Sequence, residues 1–264
     1  MDDYHRGWER LRSTGHSQRG ADDHGVALDS IATWTYHLPS PPEDFPAEAS
    51  FALTQREAEF VQERIRARCG GSLLAHAVDA EGTARPRLDS ENPWESFVTD
   101  VPARLAEELR LARKFAVLMQ GAAFSYNLAL ARKGGKLAKV AEHEASLAEW
   151  APSAAAEGVA DWPLDELWWF CAGKANVTPR TREFVATWQR LFREHGSSVG
   201  NSDEAARLVS EREWQLKGSR SRFRNARALE NWKGDSGTAL MTYRWRTVRQ
   251  LLSDLYAGLG RRRA

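Results

Sequence analysis

Cysteine is scarce in this chain, with two among 264 residues. Cys69 and Cys171 lie far apart, and neither has a second Cys or His at metal-ligand spacing. That excludes a disulfide scaffold and a Cys-based zinc site, and it suits a reducing cytoplasm. Long apolar runs are also missing. The most apolar stretch, residues 115–131, contains Gln120, Ser125 and Asn127. A membrane span needs about 20 apolar residues, so this stretch predicts a core helix. The first thirty residues carry no apolar segment, so no signal peptide is expected. Neither sign of charge dominates: 37 Lys+Arg stand against 36 Asp+Glu. The total therefore names no partner, and only the distribution of charge along the chain is informative.

Catalytic strings are lacking as well. Gly135-Lys136-Leu137 and Gly173-Lys174-Ala175 lack the hydroxyl that a P-loop places on magnesium. No His-x-Lys or Glu-x-Lys occurs, so nucleases of the phospholipase-D and restriction types find no support. His143-Glu144 has no second His one helical turn away and is expected as an exposed helix pair. A Gly-x-Ser-x-Gly nucleophile elbow is not expected, while a triad scattered along the chain stays open. Asp22-Asp23-His24 is expected as solvated polarity. No cofactor is implied.

What the chain does have is helical pattern. Residues 1–33 read as a loose arm rich in Asp, His, Arg, Gly and Ser. Residues 34–53 read as an extended strap, because Pro39, Pro41, Pro42 and Pro46 fix φ and disfavour helix before them. Phe45 and Phe51 are its expected anchors. From residue 54 to 260 a helical domain is predicted, with a sub-boundary near 151–160. Thr54-Gln55-Arg56-Glu57 is a capping box opening a helix that ends at Gly70-Gly71. Residues 78–100 read as a loop. A long helix follows over 102–132, with Leu105, Leu109, Ala112, Ala116, Met119, Ala123, Tyr126 and Leu130 on one stripe and few charges elsewhere. Further helices are predicted over 136–150, from Pro163, from Pro179, over 202–216 and over 246–256, the last closed by Gly258. The alanine-rich stretch with Pro152 reads as a link. The class is all-α: a multi-helix bundle with a Pro-rich strap and an Arg-rich loop before the last helix.

Tryptophan is abundant, with 11 residues. Most are expected to pack helix junctions, since the indole is large, apolar and carries one donor.

One segment has a distinct physical signature. Residues 217–249 hold Lys217, Arg220, Arg222, Arg224, Arg227, Lys233, Arg244, Arg246 and Arg249 against Glu230 and Asp235. Phe223, Trp232, Tyr243 and Trp245 are interleaved with them. Arginine pairs bidentately with phosphate and stacks on planar groups, and aromatics beside cations stack unpaired bases. One reading is a DNA- or RNA-binding face, with Trp232 or Trp245 stacking and the cations on phosphates. The other is an Arg-rich loop paired internally with acidic helices carrying Glu204, Glu211 and Glu213. A third reading makes the chain a scaffold that docks a helicase or nuclease through Trp168, Trp169 and Trp188.

Three stretches resemble an uncharacterised bacterial family, a domain of unknown function. The first runs from Trp34 through Pro46 into Ser50-Phe51-Ala52-Leu53-Thr54. The second joins Pro93-Trp94-Glu95 to a helix with Gly121-Ala122-Ala123 and Tyr126-Asn127. The third holds Arg212-Glu213, Lys217-Gly218, Asn225, Arg227, Glu230, Trp232, Gly234 and Ser236-Gly237, then Tyr243-Arg244-Trp245, Asp254 and Gly258-Leu259. The resemblance implies a match to the C-terminal portion of longer proteins, encoded beside helicases and phospholipase-D-like nucleases in bacterial defence or mobile regions. It carries no catalytic residues.

Overall fold

In a computed structural model, the described residues are 39, 40, 43, 47, 50–173 and 175–260. The expected arm at 1–33, most of the strap including Phe45, Asp22-Asp23-His24, Lys174 and the terminal Arg261, Arg262 and Arg263 lie outside them. Among the described residues there are ten α-helices and no strand, so the chain is all-α.

Two compact units divide the chain, one formed by residues up to Cys69 together with those from Asp254, the other by Gly70–Ser253. In the smaller unit, α1 (Gln55–Cys69) begins at the expected capping box. The Thr54 N–H donates to Glu57 Oε2 at 2.8 Å, and the Glu57 N–H donates to Thr54 Oγ1 at 3.3 Å. Those bonds satisfy two amides that an unfinished first turn leaves without partners. Phe51 is fully exposed, so it anchors nothing.

In the larger unit, the loop expected over 78–100 is partly helical. Helix α2 (Leu73–Asp79) is capped by Ser72, a 3-10 turn spans Gly82–Ala84, and α3 (Pro93–Ser96) forms one turn. Pro93 at the first helical position and Ser96, whose Oγ donates to Asn92 O at 2.7 Å, stabilise that turn. The long helix α4 (Ala103–Lys133) is buried on several sides, since Leu111, Leu118, Leu128 and Ala131 join Leu105, Leu109, Ala116 and Leu130 inside. The next helix, α5 (Leu137–Ala156), continues through Pro152. Proline inside a helix costs about 3 kcal/mol. Here burial of Trp150, Ala151 and Ala154 carries the helix past it.

Helix α6 (Leu164–Cys171) starts after Pro163, and no side chain caps it. Thr178 caps α7 (Pro179–His195) by accepting the Thr181 N–H, and Ser202 caps α8 (Asp203–Lys217) by accepting the Ala205 N–H. The short α9 (Ala226–Glu230), capped by Asn225, interrupts the basic segment. Helix α10 (Trp245–Gly258) includes Gly258 rather than ending before it. A Cβ there would lie 2.8 Å from Ala58 Cβ, so glycine permits close packing, and Gly260 with φ +67° makes the turn.

The core of the larger unit gathers Leu118, Ala122, Leu128, Leu147, Trp150, Val185, Trp188, Leu191 and Phe192 from α4, α5 and α7. Trp150, Trp162, Trp188, Trp232 and Trp245 are buried, as the packing expectation for tryptophan required, whereas Trp169 and Trp214 are exposed. The Trp150 indole lies against Gly121, where a Cβ would come within 2.3 Å of the ring. Gly121→Ala is therefore expected to lower stability by about 1–3 kcal/mol through overpacking. Urea unfolding checks it, and an unchanged midpoint would mean that α4 and α5 separate freely. Among the described residues, no helix is long and apolar enough to cross a membrane.

Candidate nucleic-acid interface

The segment between α8 and α10 is long and largely irregular, yet its backbone is tied down by side chains from the core helices. Buried backbone polar groups demand partners, and α4 and α5 supply them. Asn127 of α4 donates through Nδ2 to Ser236 O at 2.8 Å. Its Oδ1 accepts from the Ser236 N–H at 2.8 Å and from Trp232 Nε1 at 3.2 Å. Gln120 Nε2 donates to Thr238 O at 3.1 Å, and Lys136 Nζ donates to Trp232 O at 2.9 Å.

His143 of α5 completes this set. It is buried, against the expectation of an exposed His-Glu pair, and its Nε2 lies 2.6 Å from Gly234 O. A carbonyl only accepts, so Nε2 carries the proton. The neighbouring Glu144 does face solvent and pairs with Arg132 at 2.8 Å.

At the start of the segment, Glu213 of α8 is a buried hub. Its carboxylate accepts from Tyr126 Oη at 2.5 Å, Ser221 Oγ at 2.7 Å, Lys217 Nζ at 3.0 Å and the Phe223 N–H at 3.4 Å. Arg222 Nη1 donates to Tyr126 Oη at 2.9 Å and to Ser236 Oγ at 3.1 Å. Burial alone would raise the Glu213 pKa, but the hydrogen bonds from Tyr126, Ser221 and Lys217 outweigh it and hold the carboxyl below its ordinary value. The Tyr126 hydroxyl is pushed up to about 12, by burial first and then by its bond to Glu213.

The expected site residues therefore divide into three groups. Lys217 and Arg222 belong to the Glu213 network. Trp232 and Trp245 are core residues, the second donating to Ser90 O at 3.0 Å, so neither indole is presented to a base. Arg220, Arg224, Arg227, Lys233, Arg244 and Arg246 are exposed. Of these, Arg220, Arg227, Lys233, Arg244 and Arg246 form no ion pair among the described residues. Internal pairing, the competing expectation, thus holds for Lys217 with Glu213, and also for Arg249 with Glu91 at 3.0 Å. Glu204 pairs instead with Arg190 at 2.5 Å.

Sequence pattern missed the tasks of three residues here. Asn127 reads as a polar residue in an apolar stretch and His143 as half of an exposed pair, because each acts on backbone far away in the chain. Trp214 was passed over since it precedes the basic run. It is exposed, and the Arg224 guanidinium sits 4.1 Å from its ring centroid.

The Trp-rich docking surface expected on α6 and α7 is not assembled. Trp188 is fully buried and Trp168 is partly covered by Arg182, 5.5 Å above its ring, which leaves Trp169 exposed. Gly196-Ser197-Ser198-Val199-Gly200 does carry the Gly-x-Ser-x-Gly spacing, contrary to the expectation that none occurs. It forms a 3-10 turn between two helices, and Ser198 Oγ donates to His195 O at 2.7 Å. A nucleophile elbow links a strand to a helix, so this turn is not one.

The clefts of the larger unit include two of note. One, between α7 and α8, measures about 490 Å³ and is lined by both signs of charge, including Arg180, Glu183, Arg207 and Glu211. The other, between α4 and α5, measures about 430 Å³ and is lined by Trp94, Phe124, Trp150 and Glu149 among others. Among the described residues, no group of three His, Cys, Asp or Glu side chains is arranged to hold a metal ion. No curated protein and no solved structure matches the chain. The model of a family of unknown function (DUF6361) matches residues 14–258.

Proposed function

Because the chain belongs to the DUF6361 family, whose description states no activity, we propose from the basic segment that it is a non-catalytic accessory protein that binds nucleic acid. One observation carries this reading. Arg220, Arg227, Lys233, Arg244 and Arg246 are exposed and without ion pairs among the described residues, on a segment whose backbone α4 and α5 hold in place. Cations of that kind have no internal task, and each phosphate they neutralise releases condensed counterions.

The resemblance to proteins encoded beside helicases and phospholipase-D-like nucleases supports a setting in a bacterial defence or DNA-processing system in the cytoplasm. A scaffold role toward a helicase or nuclease partner is the alternative. The burial of Trp188 removes the surface first expected to serve it.

The decisive variant is Arg220→Glu, Arg227→Glu and Lys233→Glu together. Arg222 is avoided, since its bonds to Tyr126 and Ser236 make it part of the fold. Fluorescence anisotropy with labelled DNA and RNA across a salt series should show tight binding at low salt. In wild type, log affinity should fall steeply with log salt. Removal of three phosphate contacts should make that slope shallower by about 2–3. Absence of binding by the wild type at low salt, or an unaltered slope in the variant, would remove this reading.

A further inference from the structure

Trp232 and Trp245 are enclosed, so a base that stacks on this protein needs another ring. Trp214 supplies one. It stands on the last turns of α8, and Leu216, two residues on, is also exposed, at 65%. Burial is the usual destination of tryptophan, and here Trp214 stays 43% exposed, with the Arg224 guanidinium over one face of its ring.

Both members of that pair are positioned by rigid neighbours. Val209, five residues before Trp214, is buried, and Glu213 is the hub described above. Arg224 follows Phe223, whose N–H donates to Glu213, and precedes Asn225. The Asn225 Oδ1 caps α9 through the Ala228 N–H at 3.0 Å, and its Nδ2 donates to Ser219 O at 3.3 Å. Exposed cations stand on both sides of Arg224 in sequence, at Arg220 and Arg227.

We infer that Trp214 and Arg224 form a stacking site for an unpaired base, which makes the substrate single-stranded nucleic acid. The inference rests on the proposed reading of the basic segment and narrows it. An indole and a guanidinium each offer a planar face that any base can cover, without regard to its identity. Bases in a duplex are covered on both faces already, so the pair gains nothing from double-stranded substrate. The adjoining cations match the phosphates of the same strand.

The test uses the full chain with three labelled probes of equal length: oligothymidylate, a duplex, and a strand of abasic sugar-phosphate. Trp214→Ala should weaken oligothymidylate binding by about five- to a hundredfold. Duplex and abasic affinities should stay within about twofold, and the salt slope should hold, since no phosphate contact is lost. Trp214→Phe, which keeps a ring, should recover part of the loss. Because Trp214 is exposed, unchanged far-ultraviolet circular dichroism is expected for both variants. Equal losses on all three probes, or no loss on oligothymidylate, would overturn the stacking site while leaving the basic-segment reading intact. No binding of any probe by the wild type would overturn both.

Discussion

Trp188→Ala is expected to lower the unfolding free energy by about 3–5 kcal/mol. The side chain is fully enclosed, and its Nε1 donates to Leu118 O at 2.8 Å, bonding α7 to α4. It packs with Trp150, ring centroids 6.2 Å apart, inside the cluster that also holds Val185, Leu191 and Phe192. Truncation removes one of the two largest side chains of that cluster and leaves a cavity that rigid helices fill only in part. It also removes the bond that the Leu118 carbonyl accepts from the indole. Urea unfolding followed by circular dichroism measures the change. Trp169→Ala is the internal contrast: its ring is 84% exposed, so its midpoint should barely move. Equal effects at the two positions would contradict the burial pattern on which the fold description stands.

The second large effect is expected at Glu213. Removing its carboxylate leaves Tyr126 Oη, Ser221 Oγ and the Phe223 N–H without their acceptor, and leaves Lys217 without its counterion. Breaking a buried charged network from one side typically costs about 3–5 kcal/mol, more than the net contribution of the network itself. Glu213→Ala should therefore destabilise the chain on that scale. It should also speed amide exchange across residues 218–225, which the carboxylate holds.

The same group makes a prediction about pH. Its folded pKa lies below the ordinary value, so its contribution is fully present above the usual carboxylate range. That contribution is lost as pH falls through the folded pKa. Glu213→Gln removes the titration, so its stability should vary less than that of wild type between pH 5 and about pH 2. An identical acid limb in the two proteins would mean that Glu213 is not the group responsible.

These two residues also mark where sequence pattern reached and where it stopped. Helix starts were legible because they are local. Thr54 with Glu57, Thr178 with Pro179, and Ser202 with its acidic first turn each complete a hydrogen-bonding task within three residues. Helix continuation was less so. Pro152 reads as a break, and packing of Trp150 and Ala154 carried the helix past it. Gly258 reads as a stop, and the closeness of Ala58 used it as a spacer.

The basic segment shows the same division on the scale of the site. Residue order alone established an all-α chain, its main helix starts, and a cluster of nine cations against two acids in residues 217–249. Periodicity and capping depend on neighbours a few positions away, and charge is simply counted. Which cations face water and which are paired, and that Trp214 is exposed while Trp232 and Trp245 are enclosed, was decided by tertiary packing. His143 finds Gly234 across 91 positions, and Trp232 finds Asn127 across 105. Such partners meet only because helices pack side by side, and no local pattern records which faces they turn to one another.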